Sequence, residues 1–156
     1  MMPYIWQNGS RMRIRGQRGQ ALVETGMVVV ILVVLFTGIV EFGRAWMVEN
    51  MVSHALRDGA RSAAITAASN RDSTGHINGS TKTSINTQIL SEIQTVLGPS
   101  WSPSLQEITQ TPADPIPAGV PPVVTAHITG SIPFIFGLFG SSVPLDRSVS
   151  FRDEGR

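Results

Sequence analysis

Few side chains in this sequence are placed to do chemistry, and the first is an acid inside an apolar run. From Ala21 to Val40 there are 20 residues with a single ionisable group, Glu24. A carboxylate near the start of a membrane helix costs roughly 2–3 kcal/mol unless it reaches the interface or finds a partner. Glu24 is the fifth residue counted from Gln20, which follows Gly19. A cut after Gly19 would give Gln20 a free α-amino group, charged below about pH 8. That amine would lie one helical turn from Glu24, or beside Glu24 of a neighbour in a staggered set of parallel helices. Pairing offsets the desolvation of both charges. It would also make Glu24 a register device, because subunits out of step would leave a charge unpaired in lipid. The competing reading is that Glu24 snorkels to the headgroups. An N-terminal glutamine can also cyclise and lose its amine, which leaves the charge at Gln20 open.

The remaining candidates are weaker. His54 and Asp58 are four residues apart on one helical face, with Glu49 near. Two ligands at that spacing hold zinc only with a third, and no HExxH pattern is present, so a solvated polar face is expected. His76 falls in a polar loop and His127 in a predicted strand, neither with a carboxylate at a telling distance. Nucleophile motifs, phosphate loops and paired carboxylates are missing. The chain has no cysteine, which rules out disulfides and thiolate metal sites. Its net charge of +1 gives no reason to expect a nucleic-acid partner. The expectation is a non-enzymatic protein without cofactor, metal or small-molecule substrate.

The elements that position Glu24 follow from the charge pattern. About 20 apolar residues cross a bilayer as a helix, and Ala21–Val40 meets that length. Arg11, Arg13, Arg15 and Arg18 precede the run, ahead of any acidic residue. Basic residues before a span keep its N-terminus in the cytoplasm, so the C-terminal part should lie outside. Arg18 and Trp46 flank the run where interfacial residues belong. Without residues 1–19 the chain would carry eight basic and eleven acidic side chains, a net of −3. An ordinary secretory signal fits poorly. The run is longer than an h-region of about 7–15 residues, and VEFGRAW rather than Ala-x-Ala follows it.

Between Pro3 and Pro99 there is no proline. Ala45, Val48, Val52, Ala55, Gly59 and Ser62/Ala63 recur at helical spacing, so the helix is predicted to continue to Ala68. A helix from about Gly19 to Ala68 would be about 70 Å long. Ala55, Gly59, Ala60, Ala63 and Ala64 would let another backbone approach closely. The approaching element is either a neighbouring helix or this chain's own domain.

Beyond it, Ser69–Ser84 reads as a surface loop. Ile85, Ile89, Leu90, Ile93, Val96 and Leu97 mark a short amphipathic helix stopped by Gly98-Pro99. The seven prolines from Pro99 to Pro122 inclusive exclude regular helix there but leave room for a strand at Ser104–Thr111. Val123–Ile132 alternates as a strand, with Val124, Ala126 and Ile128 on one face and Val123, Thr125 and His127 on the other. Pro133–Pro144 is an apolar loop with three phenylalanines, Phe134, Phe136 and Phe139. It is either a cover for the sheet or an exposed docking patch. Leu145–Phe151 completes the sheet. The predicted class is α+β: one long helix packed against a small antiparallel sheet. The predicted divisions are a leader at 1–19, a transmembrane helix at 20–41, its continuation at 42–68 and a small domain at 69–156.

A basic leader, a glycine, and a glutamate at the fifth position of an apolar helix together resemble the class III signal of type IV pilins. RGQALVE, the apolar run, GIVEFGRAW and ALRDGARSAA are similar to the TadE-like family of tight-adherence (Tad) pilus proteins. RSVSFRDE resembles that family's C-terminal end. The resemblance implies a pilin-like fold and a minor pilin, or pseudopilin, cut after Gly19 by a membrane-embedded prepilin peptidase. It implies partnership with the major pilin, other minor pilins and the inner-membrane assembly platform, in pilus assembly, adhesion and secretion. The implied location is the bacterial inner membrane. Many type IV pilins carry phenylalanine after the cut, where this chain has Gln20. Two alternatives stand beside this one. One is an uncleaved single-pass protein with an extracytoplasmic scaffolding or sensing domain. The other is an exported domain freed by a cut near Glu41.

Overall fold

The computed structural model of the chain describes residues 16–112, 122–137 and 140–154, with side chains from Gly19 onward. Most of the leader, the Arg18 side chain, much of the proline-rich stretch and Phe139 lie outside the described residues. Helix α1 (Gly16–Ala64) is followed by a 3-10 turn at Ala68–Asn70 and by α2 (Gly79–Leu97). Three strands follow: β1 (Leu105–Thr111), β2 (Val123–Pro133) and β3 (Ser142–Arg152). The chain divides into two compact units, Met1–Gly38 and Ile39–Arg156.

The first unit holds the apolar stretch of α1. Its side chains from Leu22 to Phe36 are exposed, and α1 is long and apolar enough to cross a bilayer, its most apolar 18-residue stretch having a mean hydropathy of 2.5. Thr37, the one hydroxyl late in the run, donates to the Val33 carbonyl at 2.8 Å. Its polarity is thereby satisfied within the helix.

The second unit is the α+β body. Its three strands form an antiparallel meander in the order β1-β2-β3. Ala126 of the central strand lies opposite Ile108 on one side and Val149 on the other. Val124, Ala126 and Ile128 are fully buried, as their alternation predicts. They share one core with Val48, Val52, Ala55 and Leu56 of α1 and Ile85, Ile89 and Ile93 of α2. Three strands alone are near the limit of stability in water, so the helices supply the other wall. Trp101 closes one end of the core, its indole Nε1–H donating to Ser131 O at 2.8 Å.

Several boundaries differ from the expected ones for local reasons. Helix α1 ends at Ala64, not Ala68. The Thr66 hydroxyl donates to Ser62 O at 3.0 Å, and the Glu154 amide donates to Ala64 O at 3.0 Å, so one orphan carbonyl of the last turn is satisfied locally and another from the residues after β3. Helix α2 begins at Gly79, six residues before Ile85, behind Asn78, whose Oδ1 accepts from the Thr81 hydroxyl at 2.9 Å. It stops at Gly98, whose φ of 93° suits glycine. Strand β3 begins at Ser142, which shortens the apolar loop to residues 134–141.

The predicted surface loop after α1 contains a buried ion pair. Arg71 Nη1 and Nη2 donate to the two Asp153 oxygens, each at 2.7 Å, with both side chains almost fully buried. Gln110 Nε2 also donates to Asp153, at 2.8 Å, while its Oε1 accepts from the Ile77 amide. Arg71 reaches the carbonyls of Thr66 and Gly75 as well. The cluster joins the end of α1, the loop, β1 and the residue after β3. Nearby, Asp72 Oδ1 accepts from the Thr74 hydroxyl at 2.6 Å and from the Thr74 and His76 amides. The Thr74 hydroxyl is the main cause of a carboxyl pKa below its ordinary value, against the opposing effect of desolvation.

Two substitutions test this packing. A Cβ built on Gly59 would stand 2.3 Å from Ile89 Cδ1 and 2.5 Å from Cγ1, inside the core. Overpacking of this kind costs about 1–3 kcal/mol, against a gain of about 1 kcal/mol in helix propensity. Gly59→Ala should therefore lower stability by about 1 kcal/mol in urea unfolding of the detergent-solubilised chain. Combined with Ile89→Val, it should cost less than the sum of the two single changes. Asp153→Ala would strand the Arg71 guanidinium in the core. It should cost about 3–5 kcal/mol in the same measurement, with Asp153→Asn losing less.

Candidate functional site

The described helix begins three residues ahead of Gly19, so the Gly19–Gln20 peptide bond lies within α1. Gly19, Gln20 and Glu24 are all exposed. A Cβ at Gly19 would meet nothing within 4 Å. Glu24 makes no hydrogen bond or ion pair with any described residue. The helix therefore presents a bare carboxylate one turn from Gln20, at the start of a sheath of exposed Val, Ile and Leu side chains.

In the second unit the structure distributes the other predicted residues. Trp46 is exposed, and its ring centroid stands 6.2 Å from that of Phe42. Ala55, Gly59, Ala60 and Ala63 are buried inside the unit, with Ile89 and Ile85 of α2 lying over Gly59. The close approach these residues permit is thus taken up by the chain's own body. His54 and Asp58 are exposed, while Glu49 pairs with Arg147 of β3. No group of three His, Asp or Glu able to hold a metal occurs among the described residues.

Two features lay outside the sequence reading. His127 does have carboxylates close by: Asp146 Oδ1 lies 2.9 Å from Nε2 and Glu107 Oε1 lies 3.9 Å from Nδ1. Both come from neighbouring strands, and Glu107 stands directly opposite His127 in register. The three sit on the outward face of the sheet, where such pairs add a few tenths of a kcal/mol to about 1 kcal/mol. Strand pairing at separations of 19 and 20 residues carries no local signal, so spacing along the chain could not find them.

The second feature is Glu41, which in sequence simply marks the end of the apolar run. Its side chain is 3% exposed. Oε1 accepts from the backbone amides of Ile135 and Phe136, both at 2.6 Å. Oε2 lies 4.0 Å from Arg44 Nε, and both atoms are buried without a hydrogen bond among the described residues. A helical carboxylate thereby holds the tip of the β2–β3 hairpin from 94 and 95 residues away. Hydrogen bonds to a charged acceptor contribute about 1.5–3 kcal/mol each.

The described residues thus combine a helix long and apolar enough to cross a membrane, with one acid, Glu24, near the start of its apolar stretch, and a small α+β body. Residues 19–61 match the family model of TadE-like protein, the stretch running from Gly19 through Glu24 and Glu41 to Arg61. Over that stretch the chain is similar to the TadE-like family. No curated protein and no solved structure matches the chain.

Glu41→Ala should free the hairpin tip. Hydrogen exchange at the Ile135 and Phe136 amides should accelerate, and stability should fall by about 2–3 kcal/mol. Glu41→Gln keeps an acceptor oxygen and should slow exchange relative to Glu41→Ala.

Proposed function

We propose that the protein is a minor pilin, or pseudopilin, of a tight-adherence type IV pilus. A prepilin peptidase cuts it after Gly19, and it is a substrate of that enzyme rather than a catalyst. The observation that carries this reading is the TadE-like match over residues 19–61, which begins at the glycine of the proposed cut. The TadE-like family is a structural one, associated with pilus components. The exposed Glu24, which has no partner among the described residues, supports the same reading, since a new Gln20 amine on the same or a neighbouring molecule would neutralise it. The apolar part of α1 spans the bacterial inner membrane with the leader inside and the α+β body outside, as the four leader arginines favour. The partners are the peptidase, the major pilin, other minor pilins and the inner-membrane assembly platform.

A second reading is an uncleaved single-pass scaffold, and it draws on α1 running through Gly19–Gln20 without a break. Mass spectrometry of the N-terminus in cells with and without the peptidase separates the two. The pilin reading requires a product beginning at Gln20 that appears only when the peptidase is present. Protein that retains Met1 in both strains favours the scaffold.

Glu24→Ala should insert at least as well as the parent, because a charge of roughly 2–3 kcal/mol is removed from the span. It should still be cut, and pilus yield should drop. Unchanged yield would mean that Glu24 snorkels and has no role in register.

A further inference from the structure

We propose that the tip of the β2–β3 hairpin is a second membrane contact, in which Ile135 and Phe136 enter the boundary between headgroups and acyl chains beside Phe42 and Trp46. The inference rests on the apolar run spanning the bilayer, and on nothing else in the pilin reading.

Position comes first. Ile39 and Val40, the last residues of the apolar run, belong to the same unit as the hairpin, and Glu41 follows them directly. The Glu41 carboxylate binds the hairpin tip by two short hydrogen bonds. The tip is therefore held at the depth where the run ends. Ile135 and Phe136 are each more than half exposed, as are Phe42 and Trp46. A tryptophan such as Trp46 at the end of an apolar span is a usual occupant of the membrane interface, and the apolar rings of Phe42 and Phe136 would face the acyl side of that boundary.

The polar bookkeeping at the tip points to the same occupant. Backbone amides that leave water need an acceptor within the protein. The Ile135 and Phe136 amides have Glu41, and the Phe134 amide donates to Ser141 O at 3.0 Å. In water such a turn would need no buried carboxylate, because solvent would satisfy it.

The limits of the apolar surface favour lipid over a protein partner. On α1 the exposed positions from Val48 to Ala64 are all polar: Asn50, His54, Arg57, Asp58 and Arg61. The Glu49–Arg147 ion pair begins the charged zone just beyond Trp46 and Met47. A docking face for another subunit would be expected to run along the helix. On α1 the exposed apolar surface of this unit is confined to the end nearest the apolar run, as a planar lipid boundary requires, while Ile65, Leu105 and Phe151 are exposed elsewhere in the body.

The chain has no cysteine, so a single introduced thiol can be labelled without other changes. The full-length chain carrying Ile135→Cys or Phe136→Cys is labelled with a nitrobenzoxadiazole fluorophore. It is then reconstituted into vesicles of phosphatidylethanolamine and phosphatidylglycerol. Ser73→Cys, on an exposed loop beyond the far end of α1, is the control. Neither hairpin change alters the backbone amides that Glu41 holds. Labels at 135 and 136 should lose most of their fluorescence to doxyl-labelled lipid and resist iodide, and the label at 73 should do the reverse. If the chain survives a carbonate wash but labels 135 and 136 respond to iodide like label 73, the hairpin contact is refuted while the membrane span stands. Shielding from both quenchers would place a protein rather than lipid over the tip, and also refutes it. A chain that washes off the vesicles refutes the span and the contact together.

Discussion

How closely α2 and the sheet can approach α1 decides whether the body of this protein holds together. Three strands offer one buried face, and α2 offers one apolar stripe. Both need a wall, and the second part of α1 provides it with residues chosen for smallness. Gly59 admits the Ile89 side chain to within a bond length or two of where a methyl would stand. Ala55, Ala60 and Ala63 are fully buried around it. Small residues on one helix matched to isoleucines on another give contact density without long side chains to order, which limits the entropy lost on folding.

Packing along the wall leaves its two ends to be secured, and each has a polar clasp. At the lower end the Glu41 carboxylate holds two amides of the β2–β3 hairpin. At the upper end Arg71, Gln110 and Asp153 gather the loop, β1 and the end of β3, and Glu154 bonds the last turn of α1. Glu41 and Ala64 are about 35 Å apart along a helix rising ~1.5 Å per residue. The clasps differ in kind. The upper one is a fully paired guanidinium and carboxylate, costly to break because either partner alone would be a buried charge. The lower one uses a single carboxylate on neutral amides, with a guanidinium standing 4.0 Å off.

Legibility in the sequence followed the range of each interaction. The apolar run, the long helix, the stop at Gly98 and the inward face of β2 were readable because periodicity and composition are local. The α+β class followed from the order of those elements. The TadE-like segment was readable from Gly19, Glu24 and the flanking pattern for the same reason. The starts of α2 and β3 were misplaced because polar threonines and a proline at Pro144 mask regular structure. The pairings of Glu41 with the hairpin amides, of Arg71 with Asp153 and of His127 with Asp146 were invisible, since each spans at least 19 residues along the chain. The sheet has to form before those atoms meet. The small-residue stripe was legible as a stripe, but which backbone approaches it is a tertiary fact.

That stripe has one more implication. With Gly59 and its alanines turned inward, the surface α1 exposes between Val48 and Ala64 is a mosaic of Asn50, His54, Arg57, Asp58 and Arg61. Whatever a second molecule touches along this stretch is charged of both signs and wet. Such a contact is weak per pair and screened over about 10 Å in 0.1 M salt. Association through this part of the helix would be governed by ionic strength and by the spacing of charges. A greasy seam would be indifferent to both.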